Sequence, residues 1–267
     1  GAVQIRHGQV DEDHSRHRLP SFWRFGMLED CSCASYIATV QLEKLTRQRQ
    51  GEVRKGYDDA CGTAHGLELL GDRWALLIMR ELLLGPRRFT DLRRDLPGIS
   101  ANVLSQRLEE LEGRGLLRKV RLPPPAARDV YQATAWGLEI KPVIIELGRF
   151  AARSPGHDAT LPLSPVSLMT SFETMIDPRK ARGFAGRIGV QMGEETFIAQ
   201  VEEERITVAR APLEEAAAVI GGEPEAIAAV VYGGGPAESL TIEGDVSLAR
   251  RFLTLFTLPP KADARQS

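Results

Sequence analysis

One short segment between Ile99 and Leu116 constrains the fold more than any other part of the chain. Ser100 is a favoured residue for the start of a helix, and Ile99 can pack against Leu104 as a hydrophobic staple. Gly115 suits a left-handed helix end, after which Leu116 folds back onto the helix. The leucines in between recur at the spacing of one helix face: Leu104, Leu108 and Leu111. The sequence therefore predicts a short helix that is specified at both ends.

The opposite face of this helix is polar and carries Asn102, Ser105 and Gln106. Asparagine and glutamine side chains can present a donor and an acceptor together to the edge of an adenine, and serine lets the backbone approach. Arg107 lies on the flank, where a phosphate would be, and Ser100 begins the same helix. The alternative is the solvated face of an ordinary core helix.

The elements around this helix follow a recognisable order. Helices are predicted over 59–70, 73–84 and 91–96, the last capped by Thr90 and ended by the turn Pro97-Gly98. Strands are predicted over 116–122 and 130–134, joined by the tip PPPAARD. Together they predict a winged helix-turn-helix, in which the second helix of the motif enters the major groove of DNA.

Basic side chains lie beside the predicted groove-facing helix and along the predicted hairpin. Phosphate contacts from such residues dominate affinity for DNA. The alternative for the hairpin is an edge protected by charge. The expected phosphate-binding residues are Arg87, Arg88, Lys119, Arg121 and Arg128.

A long helix is predicted from Thr134 to about Arg153, bent at Pro142. It carries an apolar stripe made of Trp136, Ile140, Ile144, Leu147 and Phe150. The stripe needs a partner, either its own domain or a second subunit. A dimer would place two groove-facing helices about one DNA turn apart and imply a palindromic site.

Charge is distributed unevenly along the chain. Residues 51–155 carry 17 basic and 14 acidic side chains, whereas residues 156–267 carry 10 and 16. Three cysteines among 267 residues make no disulfide framework, and no apolar stretch of about 18 residues occurs, so a cytoplasmic location is expected. Residues 1–55 are predicted to be a disordered or non-native extension. No catalytic set, cofactor motif or metal-ligand spacing is found, which favours a non-enzymatic role.

Several motifs in order resemble the HxlR-type winged-helix transcriptional regulators, which are related to the MarR type. They are C-x12-W from Cys61 to Trp74, then LGPRRFTDLRRDLPGIS and LSQRLEELEGRGLL, then Y-x-A-T-x2-G-x4-PV. The resemblance covers roughly residues 57–152. Two features depart from it: Ala133 stands where the family usually has leucine, and the tip of the wing differs.

The resemblance implies a homodimeric DNA-binding repressor or activator, with residues 56–153 as its DNA-binding domain. It implies a dimer contact through helix 134–153 and through the helix near 61–70. Cys61 matches the cysteine that in some members senses quinones, aldehydes or oxidants. The alternative for Cys61 is a small buried hydrophobic residue.

A second module is predicted after a Pro/Gly-rich linker at 154–163. Its predicted elements are a helix over 164–176, strands over 184–192, 196–201 and 205–210, helices over 213–220 and 224–231, a strand over 239–243 and a helix over 246–256. This layout predicts an α+β domain over 164–258 with an antiparallel sheet. Residues 259–267 are predicted to be a disordered tail.

The layout of the second module, with the closing TIEGD before Phe252, resembles the sterol-carrier-protein-like fold. That resemblance implies an apolar tunnel, and the residues proposed to line it are Met169, Phe172, Met175, Phe197 and Phe252. The alternative for each is an ordinary core position. Two functions follow. The first is a DNA-binding regulator tuned by a small apolar ligand, and the second is a lipid or apolar-ligand carrier that uses the winged helix only as a dimerisation scaffold.

Overall fold

A computed structural model describes residues 56–263. The predicted extension over 1–55 and the last four residues of the predicted tail lie outside these residues. The N-terminal module runs α1 (Gly62–Leu70), α2 (Ala75–Leu82), α3 (Phe89–Asp95), α4 (Ala101–Gly113), β1 (Leu117–Arg121), β2 (Asp129–Ala133), α5 (Ala135–Leu138) and α6 (Lys141–Ala152). This order confirms the predicted winged helix-turn-helix.

The C-terminal module combines four helices with one five-stranded sheet. Its elements are α7 (Pro165–Met175), α8 (Pro178–Ala181), β3 (Gly186–Met192), β4 (Glu195–Glu202), β5 (Arg205–Arg210), β6 (Ala218–Gly221), α9 (Pro224–Gly233), a 3₁₀ turn (Ala237–Ser239), β7 (Thr241–Gly244) and α10 (Val246–Leu253). Its five strands lie in the order β5-β4-β3-β6-β7. Apolar side chains from α7, α10 and the strands form a common core.

The sheet of the C-terminal module corrects two predictions. Residues 213–220 were predicted to be helical, but Ala218–Gly221 forms β6, in which buried and half-buried positions alternate. This strand runs parallel to β3 with Ile188 opposite Ala218, so the sheet is mixed rather than antiparallel. Alternating burial is the period of a strand, and the run of small alanines before it concealed that period.

The predicted long helix is divided into α5 and α6. Gly137 lies so close to the chain that an added Cβ would be 1.9 Å from the carbonyl oxygen of Leu116. Thr134 caps α5 by accepting from the Gly137 N–H at 2.9 Å. Pro142 occupies the first turn of α6, where a missing N–H costs nothing, so it begins a helix instead of bending one.

The start of α3 also differs from the sequence prediction. Thr90 was predicted as its cap, but Phe89 is the first helical residue and Arg88 holds the cap position. The Arg88 N–H donates to the Asp91 carboxylate at 3.3 Å. The Asp91 carboxylate therefore accepts from a free N–H at the start of the helix, and a hydroxyl at position 90 is not needed as a cap.

The predicted disordered tail is ordered over its described part. The Ala262 N–H donates to the Arg153 carbonyl oxygen at 2.8 Å. The Lys261 ammonium donates to the carbonyl oxygens of Ala152 at 3.1 Å and Ser154 at 3.0 Å. The last carbonyl oxygens of α6 have no partner within the helix, and the Lys261 ammonium provides one. This contact holds a segment that the sequence predicts to be a disordered tail.

The two modules pack against each other, and residues 56–263 belong to one compact unit. Leu83 and Leu84, which follow α2, are buried in the core of the C-terminal module. Ile140 and Ile144 contact the cores of both modules. Within residues 56–263 no helix has the length and apolar character required to cross a membrane.

Candidate nucleic-acid interface

Helix α4 is fixed at both ends as the sequence predicts. The Ser100 hydroxyl accepts from the Val103 N–H at 3.3 Å. At the other end Gly115 has φ +76°, and its N–H donates to the Glu112 carbonyl oxygen at 2.9 Å. The Leu116 N–H donates to the Leu111 carbonyl oxygen at 3.0 Å, which completes a Schellman end.

The polar face of α4 is open to solvent. Asn102, Ser105 and Gln106 are exposed, while the leucine stripe on the other side is buried in the N-terminal core. The Gln106 amide donates from Nε2 to the Glu110 carboxylate at 2.9 Å. Reading a base with Gln106 would therefore exchange this bond for one to the base.

Arg107 is held by carboxylates of its own chain. Its guanidinium is 2.9 Å from the Asp72 carboxylate and also pairs with Glu110, and its side chain is 21% exposed. Arg114, one helical turn beyond Glu110, donates to the Leu69 carbonyl oxygen at 2.7 Å. The phosphate contact predicted for Arg107 would compete with these bonds, which anchor α4 to the segment between α1 and α2.

The wing is a two-stranded antiparallel hairpin with Lys119 opposite Tyr131 and Arg121 opposite Asp129. Asp129 is 3.3 Å from the Lys119 ammonium and 3.4 Å from the Arg121 guanidinium. The hydrogen bond that the Lys119 ammonium donates to the Asp129 carboxylate raises the pKa of Lys119 above its ordinary value. Lys119, Arg121 and Arg128 are all exposed, and the first two of them lie beside Asp129.

Arg87 does not belong to the exposed basic surface, which corrects its predicted phosphate role. Its side chain is 5% exposed and pairs with Asp95 and Glu195. Its backbone exchanges hydrogen bonds with Tyr131 of β2 at 2.9 and 2.8 Å. Because these partners enclose the guanidinium, it is closed to a phosphate in this conformation. Arg88, the neighbouring candidate, is half exposed and lies 3.5 Å from Asp91.

A carboxylate from the C-terminal module meets the arginines of the helix-turn-helix, and sequence reasoning missed it. Glu195 at the start of β4 pairs with Arg87, Arg94 and Arg210. Burial raises the pKa of the Glu195 carboxyl, but hydrogen bonds from Arg210 and Arg87 outweigh it and leave the pKa below its ordinary value. Partners about 100 residues apart leave no local pattern from which this cluster could be predicted.

Cys61 is exposed and lies at the N-cap position of α1, so it is not the buried residue of the alternative interpretation. Hydrogen bonds from the Thr63 and Ala64 backbone and the Thr63 side chain lower the pKa of its thiol. Its redox role stays a prediction. Among residues 56–263 no cluster of three His, Cys, Asp or Glu side chains could hold a metal.

The five residues predicted to line an apolar pocket are all buried in the C-terminal core: Met169, Phe172, Met175, Phe197 and Phe252. The Phe172 ring stacks on Phe256 with centroids 4.6 Å apart and meets Phe252 edge-on at 5.7 Å. The Phe172 ring is therefore surrounded by other aromatic side chains of the core. The structure accounts for these residues as core, and a ligand role for them stays a prediction.

Helix α6 uses only part of its apolar stripe within the chain. Ile140 and Ile144 are half-buried, and Gly148 lies close to Thr174 of α7. Val143, Leu147 and Phe150 point away from the chain and are 54%, 47% and 77% exposed. Their spacing of four and three residues places them on one side of the helix.

Comparison with known proteins identifies the N-terminal module. Residues 69–158 match the HxlR-like helix-turn-helix family. An uncharacterized HTH-type transcriptional regulator of Synechocystis is 37% identical over 92 residues, which are 34% of this chain and 68% of that protein. The HTH-type transcriptional regulator YodB of Bacillus subtilis is 35% identical over 31% of this chain and 74% of its own length.

The reduced form of YodB from Bacillus subtilis is 30% identical and covers 38% of this chain and 100% of its own, with a TM-score of 0.34. The sequence relatives carry the assignment, and they are transcriptional regulators by name. This chain belongs to the HxlR-like helix-turn-helix family.

Proposed function

We propose that this chain is a transcriptional regulator that binds a palindromic DNA operator as a homodimer. In each subunit α4 enters the major groove and reads bases with Asn102, Ser105 and Gln106. The wing contacts the flanking phosphates with Lys119, Arg121 and Arg128, and Arg88 adds a contact near the start of α3. Phosphate contacts supply affinity, and contacts to base edges supply specificity.

The observation that carries the proposal is the way α4 is presented. Both of its ends are closed by hydrogen bonds, its apolar face is buried, and its amide and hydroxyl side chains are exposed. The alternative, an ordinary core helix with a solvated polar face, does not explain the exposed cations on the adjacent hairpin. The family relatives support the same function, since they are transcriptional regulators with a helix-turn-helix.

The homodimer is proposed on the unpaired side of α6. Val143, Leu147 and Phe150 form an exposed apolar row, and large exposed apolar patches commonly mark protein contacts. Leu67 of α1 is also 52% exposed and would extend the contact. A twofold pair of subunits presents two copies of α4 and therefore selects inverted half-sites.

Selection of bound duplexes from a random DNA pool tests the proposal. We expect enrichment of one sequence with two inverted half-sites whose centres are separated by about 10 base pairs. Recovery of random sequences after repeated rounds would contradict it. Enrichment of a single, non-repeated motif would support sequence-specific binding but would contradict a dimer on a palindromic operator.

The C-terminal module is proposed to tune the DNA-binding module. Its helix–meander–strand–helix order supports the sterol-carrier-like interpretation, and its direct packing on α2 and α6 supports communication between the modules. A small apolar ligand would enter by rearranging the aromatic core around Phe172. Binding of an apolar fluorescent probe to the full chain, with a change in operator affinity, tests this; probe binding without DNA binding would favour the carrier function.

A further inference from the structure

The carboxylate of Glu195 is the point at which the C-terminal sheet joins the helix-turn-helix. It accepts hydrogen bonds from Arg87 Nη1 at 2.7 Å, Arg94 Nη2 at 3.0 Å and Arg210 Nη1 at 2.7 Å. Its side chain is 15% exposed, so water competes weakly for these bonds. Charge-assisted bonds of this kind are stronger than neutral ones and constrain direction.

The arginines that Glu195 holds bracket helix α3. Arg87 precedes α3, and Arg94 lies in its last turn. Both also bond to Asp95, the last residue of α3, with Arg94 Nε at 2.7 Å from its carboxylate. One carboxylate from the second module therefore restrains the beginning and the end of this helix together.

The same contact extends to the wing. The Arg87 backbone forms an isolated bridge with Tyr131 in β2, so the residue that Glu195 holds by its side chain is bonded to the wing by its main chain. Helix α3 leads through Pro97-Gly98 into α4. Displacement of Glu195 would therefore reach both the base-reading helix and the phosphate-binding hairpin.

We propose that Glu195 is a positioning residue for DNA reading, through which the C-terminal module sets operator specificity. This inference rests on the proposed function. Hydrogen bonds to base edges require α4 at a defined depth and angle, whereas attraction to phosphates tolerates looser placement. Glu195 lies outside residues 69–158, so this control is a property of the added module and not of the segment shared with the family.

The experiment uses the full chain and an operator selected by the wild-type protein. The readout is the ratio of Kd for random duplex to Kd for operator at fixed salt. For Glu195→Gln we expect this ratio to fall about tenfold, within the range of one lost base contact. The matched control is Glu194→Gln, which removes the same charge from an exposed neighbour and should leave the ratio within about twofold.

A second pair of variants keeps the inference testable if Glu195→Gln does not fold. Arg94 is 61% exposed, and Arg94→Gln should lower the ratio as Glu195→Gln does. Its control is Arg93→Gln, which removes the same charge from an exposed neighbour and should leave the ratio within about twofold. In the variant that combines Glu195→Gln with Arg94→Gln the two effects should be less than additive, since both remove the Glu195–Arg94 contact.

An unchanged ratio in the folded variants, even with lower thermal stability, would show that Glu195 is merely structural and would overturn the inference. An equal fall of the ratio in the control variants would show that the loss of a charge alone causes the fall. That result would also overturn the inference. A wild-type protein with no preference for any duplex would instead refute the proposed function, and the inference with it.

Discussion

The hydroxyl of Ser164 donates to the fully buried carboxylate of Glu81 at 2.7 Å. Ser164 caps α7 of the C-terminal module, and Glu81 lies in α2 of the DNA-binding module. Arg80 donates to the same Oε1 atom at 2.9 and 2.7 Å, while Oε2 has no hydrogen-bond partner among the described residues. This contact links the two modules, as do the arginine contacts of Glu195 and the Lys141–Glu173 ion pair at 2.8 Å.

The first prediction concerns the dependence of stability on pH. Burial raises the pKa of Glu81, with Arg80 and Ser164 opposing it. A raised pKa in the folded state stabilises the protein below the ordinary glutamate pKa, and this contribution is lost as pH rises through the folded value. The free energy of unfolding of the wild type, relative to Glu81→Gln, should therefore fall as the pH rises above the ordinary pKa of glutamate. Urea titrations of both proteins measure it, and an increase with pH would contradict the burial argument.

The second prediction concerns the start of α4. Ser100→Ala removes the acceptor for the Val103 N–H and should lower the free energy of unfolding by about 1 kcal/mol. Ser100→Asp should retain most of it, because aspartate also caps helices well. Urea denaturation of both variants provides the measurement. Equal losses would show that the cap does not stabilise α4.

The third prediction concerns the wing. Arg121 is 71% exposed, so Arg121→Ala should change the free energy of unfolding by less than about 0.5 kcal/mol. Binding to operator and random DNA should weaken alike, and the slope of log K against log salt should fall by about one. Arg179→Ala, an exposed change on the C-terminal module, is the control. An unchanged salt slope for Arg121→Ala would remove the wing from the interface.

The fourth prediction concerns the dimer. Phe150→Glu places a charge in the proposed contact, where Phe150 is 77% exposed in the isolated chain. Sedimentation should show a monomer, and operator affinity should fall about 100-fold or more because two linked half-sites are lost. Phe150→Leu keeps an apolar side chain and should remain dimeric. A dimer in both variants would place the subunit contact elsewhere.

The fifth prediction concerns Cys61. Hydrogen bonds to the thiolate lower its pKa, so alkylation should reach half its maximal rate below the pH usual for a cysteine. The measurement uses a protein with Cys31→Ser and Cys33→Ser, in which Cys61 alone reacts. Thr63→Ala should raise the midpoint, since it removes one of these bonds. An ordinary midpoint in both would argue against an activated thiol.

The N-terminal module could be predicted from sequence because its signals are local. Ser100, the leucine stripe and Gly115 lie within 16 consecutive residues and determine one helix. The pairing of Arg87 with Glu195 joins residues 108 positions apart, so no window of sequence contains it. Arg87 was consequently assigned to the DNA surface, although its guanidinium is buried between carboxylates.

The C-terminal module shows the same limit. The sequence predicts its meander β3-β4-β5, in which successive strands pair antiparallel across tight turns. Strand β6 is four residues long and pairs in parallel with residues of β3 that lie 30 positions earlier. A short segment next to a run of alanines carries helical propensity, and only tertiary pairing makes it a strand.

The most direct test of the account is the affinity of the wild type and of Gln106→Ala for the selected operator and for the same bases in scrambled order. We predict that the wild type binds the operator at least about 1,000-fold more tightly. Gln106→Ala should lose about 1–3 kcal/mol of that discrimination while its affinity for scrambled DNA is retained. Equal wild-type affinity for both duplexes would contradict the assignment of this chain as a sequence-reading regulator.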